Sequence, residues 1–129
     1  MSRPGFYIAK RMILMCEFDR YGAKPPEMTK KRRVIVIGLF GPTALVVPLS
    51  ASAPSKVKRH HVFIEARQYA SIGVDVWAKC NMLTHVSLAR LDRVAAKGHR
   101  RAECLTRDDY SRVLAGIAFA IELDKNLLS

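Results

Sequence analysis

Residues 32–50 read RRVIVIGLFGPTALVVPLS, and this stretch decides the fold. Residues 32–40 are nearly continuous in β-branched and aliphatic side chains, the pattern of a strand buried on both faces. Gly41, Pro42 and Thr43 form a turn, and residues 44–50 return from it as a second strand, so a hairpin is expected. Pro48 has no N–H to give to a ladder, which places the end of that strand at an edge or a bulge.

Upstream, residues 12–18 (MILMCEF) form an apolar run of strand length. Residues 19–31 are polar and broken by Gly22, Pro25 and Pro26, the signature of a long mobile loop. Downstream, residues 51–59 form a second polar, basic loop, and residues 60–65 (HHVFIE) a further short strand. Residues 69–75 read as turn. Residues 75–82 and 86–94 read as two more strands, separated by a turn at Leu83, Thr84 and His85. Six short strands on so short a chain indicate a small barrel or sandwich.

The end of the chain changes period. Thr106 followed by Asp109 is a capping-box-like start, after which Tyr110, Val113, Leu114, Ile117 and Ile121 recur at helical spacing. The expectation is one domain over residues 1–129, with the β-rich part at about 12–95 and a C-terminal helix at about 106–124.

The 129 residues are 50% hydrophobic and 26% charged, the balance of an ordinary globular protein. Lys and Arg number 22 against 11 Asp and Glu, a formal charge of +11, and the sequence pI is about 10.1. Such an excess points to a polyanionic or acidic partner. Composition excludes a collagen, a disulfide mini-protein and a multidomain enzyme. Cys16, Cys80 and Cys104 are odd in number and widely spaced, without C-x-x-C. That argues against a disulfide framework or zinc knuckle and fits a reducing cytosol, each Cys being a small buried hydrophobe. The N-terminus shows no secretory signal, and the apolar stretch 34–49 is interrupted by Gly38, Gly41 and Pro42, so it cannot span a membrane. A soluble cytoplasmic protein is expected.

The cations cluster. Lys24, Lys30, Lys31, Arg32 and Arg33 flank the first loop, while Lys56, Lys58, Arg59, His60 and His61 fill the second. A hairpin at Gly41 brings both loops to the opposite end of the sheet, where they would attract phosphates; a solvated cationic face is the plainer alternative. Lys97–Arg101 (KGHRR) reads as a solvated loop. His60 and His61, as successive strand residues, face opposite ways and cannot share one metal ion; no metal or cofactor is expected. No G-x-S-x-G, P-loop or dinucleotide fingerprint is present.

The order EMTKKRRVIVI, VVPLS, HHV, WAKCNMLTHVSLARLDRV and a C-terminal helix resembles the MazF/PemK-type toxins of toxin–antitoxin systems, over roughly residues 12–123. Residues 77–94 are similar to the W-x-K-C-D-M…V-S-x-x-R-L-D pattern of the PemK-like branch. The resemblance implies a small SH3-like β-barrel with a C-terminal helix, a homodimer, and a cognate acidic antitoxin. It further implies metal-independent, sequence-specific cleavage of single-stranded RNA by the ribose 2′-hydroxyl, leaving 2′,3′-cyclic phosphate and 5′-hydroxyl ends.

It also implies a site. Arg32 matches the arginine that contacts the scissile phosphate, and a guanidinium fork suits that task. Ser50 matches the Thr or Ser closing the V-P-x-[ST] strand, Lys79 a cationic position for acid or clamp, and Glu27 a loop carboxylate. Lys30, Lys31, Arg33, Lys56, Lys58, Arg59, His60 and His61 are the expected RNA-binding cations.

Two positions depart from the pattern. Asn81 stands where the family carries the Asp that serves as base, and a carboxamide accepts no proton at neutral pH. Arg33 replaces the usual Pro. Either Glu27, His60 or His61 is then the base, or the chain is a weak or inactive nuclease that binds nucleic acid or a protein. Trp77 is expected in the core or an interface, with base stacking as the alternative.

Overall fold

The computed structural model describes residues 5–18, 31–96 and 98–121, with Arg101 described for its backbone alone. Its strands are β1 (Ile13–Glu17), β2 (Lys31–Phe40), β3 (Thr43–Ser50), β4 (His61–Ile64), β5 (Val76–Lys79), β6 (Thr84–Ser87), β7 (Leu91–Ala96) and β8 (His99–Arg101), followed by helix α1 (Arg107–Ala120). The strands pair antiparallel in the order β4-β5-β3-β2-β1-β7-β8, with β6 also pairing β3. The expected mainly-β fold with a C-terminal helix is present. Among the described residues the sheet does not close, because β4, β6 and β8 each pair on one side alone.

The hairpin forms as its sequence requires. Gly41 adopts a φ of +58°, a left-handed conformation that costs an L side chain energy, and Thr43 Oγ1 donates to the Phe40 carbonyl at 3.0 Å. Pro48 does not mark an edge. It lies on β3, opposite Val34, just after β3 stops pairing with β6 at Val46 and just before it pairs with β5 at Leu49. At that handover no neighbouring strand needs its missing N–H.

The expected strand at 86–94 is two strands, β6 and β7, separated by a short 3-10 turn at Leu88–Arg90. The Ser87 hydroxyl accepts from the Ala89 N–H at 3.3 Å and starts that turn. The expected strand at 75–82 likewise ends at Lys79 and continues as a 3-10 turn at Cys80–Met82. The basic stretch after β7 is not wholly loop, since β8 pairs with β7 and Arg100 bridges to Asp92.

Helix α1 begins at the expected cap, with Thr106 Oγ1 accepting from the Asp109 N–H at 3.2 Å. The buried Asp109 carboxylate accepts from the Tyr69 hydroxyl at 2.5 Å, tying the helix start to the segment before β5. Tyr110, Val113 and Ile117 of the expected stripe pack on the core, and two of its positions depart. Leu114 and Ile121 are exposed, while Val113 and Gly116 are buried. A Cβ on Gly116 would stand 2.8 Å from Cys80 Sγ and 3.0 Å from Val62 Cγ2, so the helix rests on the sheet through its bare backbone. No described helix is long and apolar enough to cross a membrane.

The sheet buries both faces, but not everywhere. One face holds Ile13, Ile35, Val47, Leu49, Val62, Ala78 and Cys80 against Val113 and Leu105. The other holds Leu14, Cys16, Val34, Val36, Ala44, Val46 and Val86 beneath Phe6, Ile8 and Leu88. Among the described residues that cover stops at the end of β3. Beyond it, the same face continues over β5 and β4 without joining either apolar cluster.

Candidate functional site

Register determines which side chains occupy this uncovered part of the sheet. Ser50 pairs with Trp77 and Trp77 with Phe63, forming one row across β3, β5 and β4. Lys79 pairs with His61 in the next row, on the same face, because side chains alternate along a strand. On the other side of β3, the last pair with β2 is Val34 with Pro48. Two residues further along each strand stand Arg32 and Ser50, again on this face. Neighbouring strands lie about 4.8 Å apart, so the row Ser50, Trp77, Phe63 spans about 10 Å, with Arg32 on the same face past the last β2–β3 pair.

The polar chemistry of the row is that of donors. Arg32 is half-buried, and its buried Nε has no hydrogen-bond partner among the described residues. An arginine nitrogen removed from water without an acceptor is poised for an anion. Ser50 Oγ accepts from the Ser52 N–H at 3.2 Å, which leaves its O–H free to point elsewhere.

The His61 Nδ1 accepts from the Lys58 N–H at 3.0 Å, so the neutral ring carries its proton on Nε2. Desolvation and the positive neighbours His60, Lys79 and Lys58 hold the imidazole below its ordinary range, favouring that neutral form. His60 lies in the turn before β4, so the two His rings do not face apart as strand neighbours would. Their centroids are 4.3 Å from each other.

The remaining expected residues divide. Lys56, Lys58 and Arg59 are exposed in the segment leading into β4, and the Arg59 guanidinium lies 5.2 Å from the Phe119 ring centroid of α1. Asn81 is exposed in the turn that follows β5, one residue after Cys80, whose N–H donates to the His60 carbonyl at 3.2 Å. Lys31 and Arg33 alternate onto the opposite face from Arg32. Arg33 Nε donates to the Ser71 carbonyl at 2.7 Å. Lys31 lines a separate cleft of about 340 Å³ with Glu17, Arg90, Asp92 and Arg93, on the far side of β2 from β3. Glu27 and Lys30 lie outside the described residues.

Sequence reasoning did not anticipate Phe63. Its only signal is its position two residues after His61 in a short strand, and its role depends on the tilt of its ring against Trp77, with centroids 5.2 Å apart. Both rings are half-buried, so Trp77 belongs to neither apolar cluster, contrary to a core reading.

The family described as "PemK-like, MazF-like toxin of type II toxin-antitoxin system" matches residues 9–121. An uncharacterised protein of Haemophilus influenzae is 29% identical over 123 residues, covering 84% of this chain and 86% of that protein. Among solved structures, the Mycobacterium tuberculosis toxin MazF-mt6 aligns with a TM-score of 0.63 at 14% identity, over 88% of this chain and 99% of that one. An endoribonuclease in complex with its cognate antitoxin, from a mycobacterial species, aligns with a TM-score of 0.61 at 10% identity, over 92% of this chain and 98% of that one. At such identities the structural likeness speaks for the fold. With a family match that runs from before β1 to the end of α1, the chain belongs to the PemK-like, MazF-like toxins of type II toxin–antitoxin systems.

Proposed function

We propose that this chain is a metal-independent endoribonuclease that cuts single-stranded RNA. The observation that carries the reading is Arg32, whose buried guanidinium nitrogen has no partner among the described residues, on the same sheet face as Ser50, whose O–H remains available to donate. The ribose 2′-oxygen attacks the adjacent phosphorus and the P–O5′ bond breaks, leaving 2′,3′-cyclic phosphate and 5′-hydroxyl ends. The attacking hydroxyl loses its proton to a base, and the departing 5′-oxygen gains one from an acid. In this reading Arg32 and Ser50 neutralise and orient the phosphate oxygens, and Lys79 clamps them or protonates the leaving oxygen.

His61 fits the donor side of this scheme. With Nδ1 engaged by the Lys58 N–H, its Nε2–H can donate to a phosphate oxygen and has no lone pair for a proton. The base is then sought at His60 or Glu27. Lys56, Lys58 and Arg59 extend the cationic surface before β4, with His60 beside them to contact RNA, while Lys30 flanks Glu27 in sequence.

The partners we propose are single-stranded RNA, a second copy of the chain, and a cognate antitoxin laying an acidic segment over the cations, all in the cytoplasm. The similar endoribonuclease that was solved with its antitoxin supports the last of these. Asn81 favours a second reading, a barrel-like binder that has lost turnover, because the exposed position after β5 carries a carboxamide instead of a carboxylate.

The test is incubation of the purified protein with mixed-sequence RNA in chelator, with the ends of the fragments analysed. Cyclic phosphate ends that disappear in Arg32→Ala and Ser50→Ala support the nuclease. RNA that is bound and left intact favours the binder.

A further inference from the structure

We propose that Trp77, held by Phe63, is the stacking surface for an unpaired base of single-stranded nucleic acid, on a nucleotide next to the phosphate that Arg32 and Ser50 receive. The proposal rests on the RNA reading above and adds the element that would let the site sense bases as well as phosphates.

Three observations carry it. Trp77 stands between Ser50 and Phe63 in a single cross-strand row, one strand spacing from the hydroxyl assigned to phosphate. The Phe63 ring lies 5.2 Å from the indole at a 59° tilt, which supports one side of it and restricts its rotation while part of the ring stays accessible. Cations border the row on one side: Lys79 is two residues along β5 and Lys58 is in the turn leading into β4, with the neutral His61 opposite Lys79. The carboxylates at the other ends of these strands are engaged, Asp75 by the Ala66 N–H and Glu65 by Arg67. An aromatic ring bordered by cations and beside a phosphate donor is the arrangement that single-stranded nucleic acid requires, the backbone tracking the charges and a base covering the ring. A purely apolar occupant would leave those cations unmatched.

The chain contains one tryptophan beside four tyrosines, so fluorescence excited selectively at tryptophan, beyond tyrosine absorption, reports this ring alone. The probes are a mixed-sequence RNA 12-mer (about the site size of single-strand binders) with every 2′-hydroxyl methylated, which cannot react by 2′-attack, and an abasic strand with the same number of phosphates. The methylated strand is expected to quench the emission on binding, and the abasic strand to bind in a salt-dependent way without quenching. Trp77→Phe should keep affinity within a few-fold. Trp77→Ala, shown to be folded by circular dichroism, should lose roughly ten- to hundredfold while its salt dependence stays unchanged.

Silent emission on saturation with the methylated strand, or undiminished affinity in Trp77→Ala, overturns the proposal. So does emission that shifts on dilution of the protein alone, which would place the ring between two copies of the chain. Cleavage of unmodified RNA is scored in parallel. Cleavage with a silent Trp77 removes the stacking site and leaves the nuclease, whereas quenching without cleavage keeps the stacking site and removes the nuclease. A protein that binds no strand overturns both.

Discussion

Arg33 donates from Nε to the Ser71 carbonyl at 2.7 Å, on the opposite side of β2 from the guanidinium of Arg32. Two adjacent arginines thus face opposite ways, Arg33 engaged within the fold and Arg32 assigned by the proposal to phosphate. The neighbouring Ser71 N–H donates to Glu103 Oε1 at 2.8 Å, so Arg33 and Glu103 together hold the turn that precedes β5. Arg33→Ala is expected to lower folding stability by about 1–3 kcal/mol, the usual range for a hydrogen bond from a charged donor. Arg32→Ala should leave stability within about 0.5 kcal/mol and remove most of the proposed cleavage. Urea denaturation and RNA cleavage on both variants check the division, and equal losses of cleavage per folded molecule would refute it.

The close seat of α1 predicts a coupling. Gly116→Ala places a methyl 2.8 Å from Cys80 Sγ, and overpacking of this kind costs about 1–3 kcal/mol. The better helix propensity of alanine offsets up to about 1 kcal/mol of that. In a Cys80→Ala background the clash with sulfur is gone, so the same substitution should become milder. A double-mutant cycle by urea denaturation measures the difference, and additive effects would count against contact between these residues.

Asn81 is exposed, so Asn81→Asp should fold normally. If the family's carboxylate is the base, restoring it should raise single-turnover cleavage at least tenfold, since base loss costs roughly a hundred- to ten-thousand-fold. RNA affinity should change little. An unchanged rate in Asn81→Asp beside a fast wild type would turn attention to Glu27 and His60.

The His61 imidazole should make stability depend on pH. Its folded pKa lies below the ordinary value of about 6.5, because desolvation and then His60, Lys79 and Lys58 disfavour its charged form. As pH falls through about 6.5, the unfolded chain takes up this proton before the folded one, so this contribution to stability is present above that pH and declines below it. Urea midpoints at about pH 7.5 and about pH 5.5 should therefore draw apart more in wild type than in His61→Gln. Identical pH dependence in the two would contradict the assigned environment of the ring.

The three thiols should react unequally. Burial pushes Cys80 up to about 11 and Cys16 up to about 12, whereas Cys104 is exposed. One thiol is expected to react rapidly with an aromatic disulfide reagent in the native protein and three after denaturation. Cys104→Ser should eliminate the rapid phase, and a rapid phase that persists would show that a buried Cys is accessible.

Several features were legible along the chain because short-range chemistry determines them. The β-branched run of residues 32–40, the left-handed glycine at 41 and the Thr106 cap each specify a local conformation, and β2, the hairpin and the start of α1 followed. The +11 charge likewise can be read before any side chain is placed, and it is the basis for proposing an anionic partner. The breaks between β6 and β7 and after β5 were less visible, since each depends on a few hydrogen bonds within an otherwise apolar run. The seat of α1 was hidden for another reason. Periodicity counts apolar side chains, and Gly116 contributes by having none.

The resemblance in sequence identified the family and the matching positions, but not their arrangement. Only the tertiary structure separated Arg32 from Arg33, set Ser50 and Trp77 in one row and tilted Phe63 against the indole. Strand alternation makes the face of a residue depend on register, and register depends on partners dozens of residues away. Whether a face is a core or a site depends further on what lies over it. Here, among the described residues, the cover of Phe6, Ile8 and Leu88 ends before β5, and a strand pattern that could equally have packed inward leaves Trp77 and Phe63 half-buried.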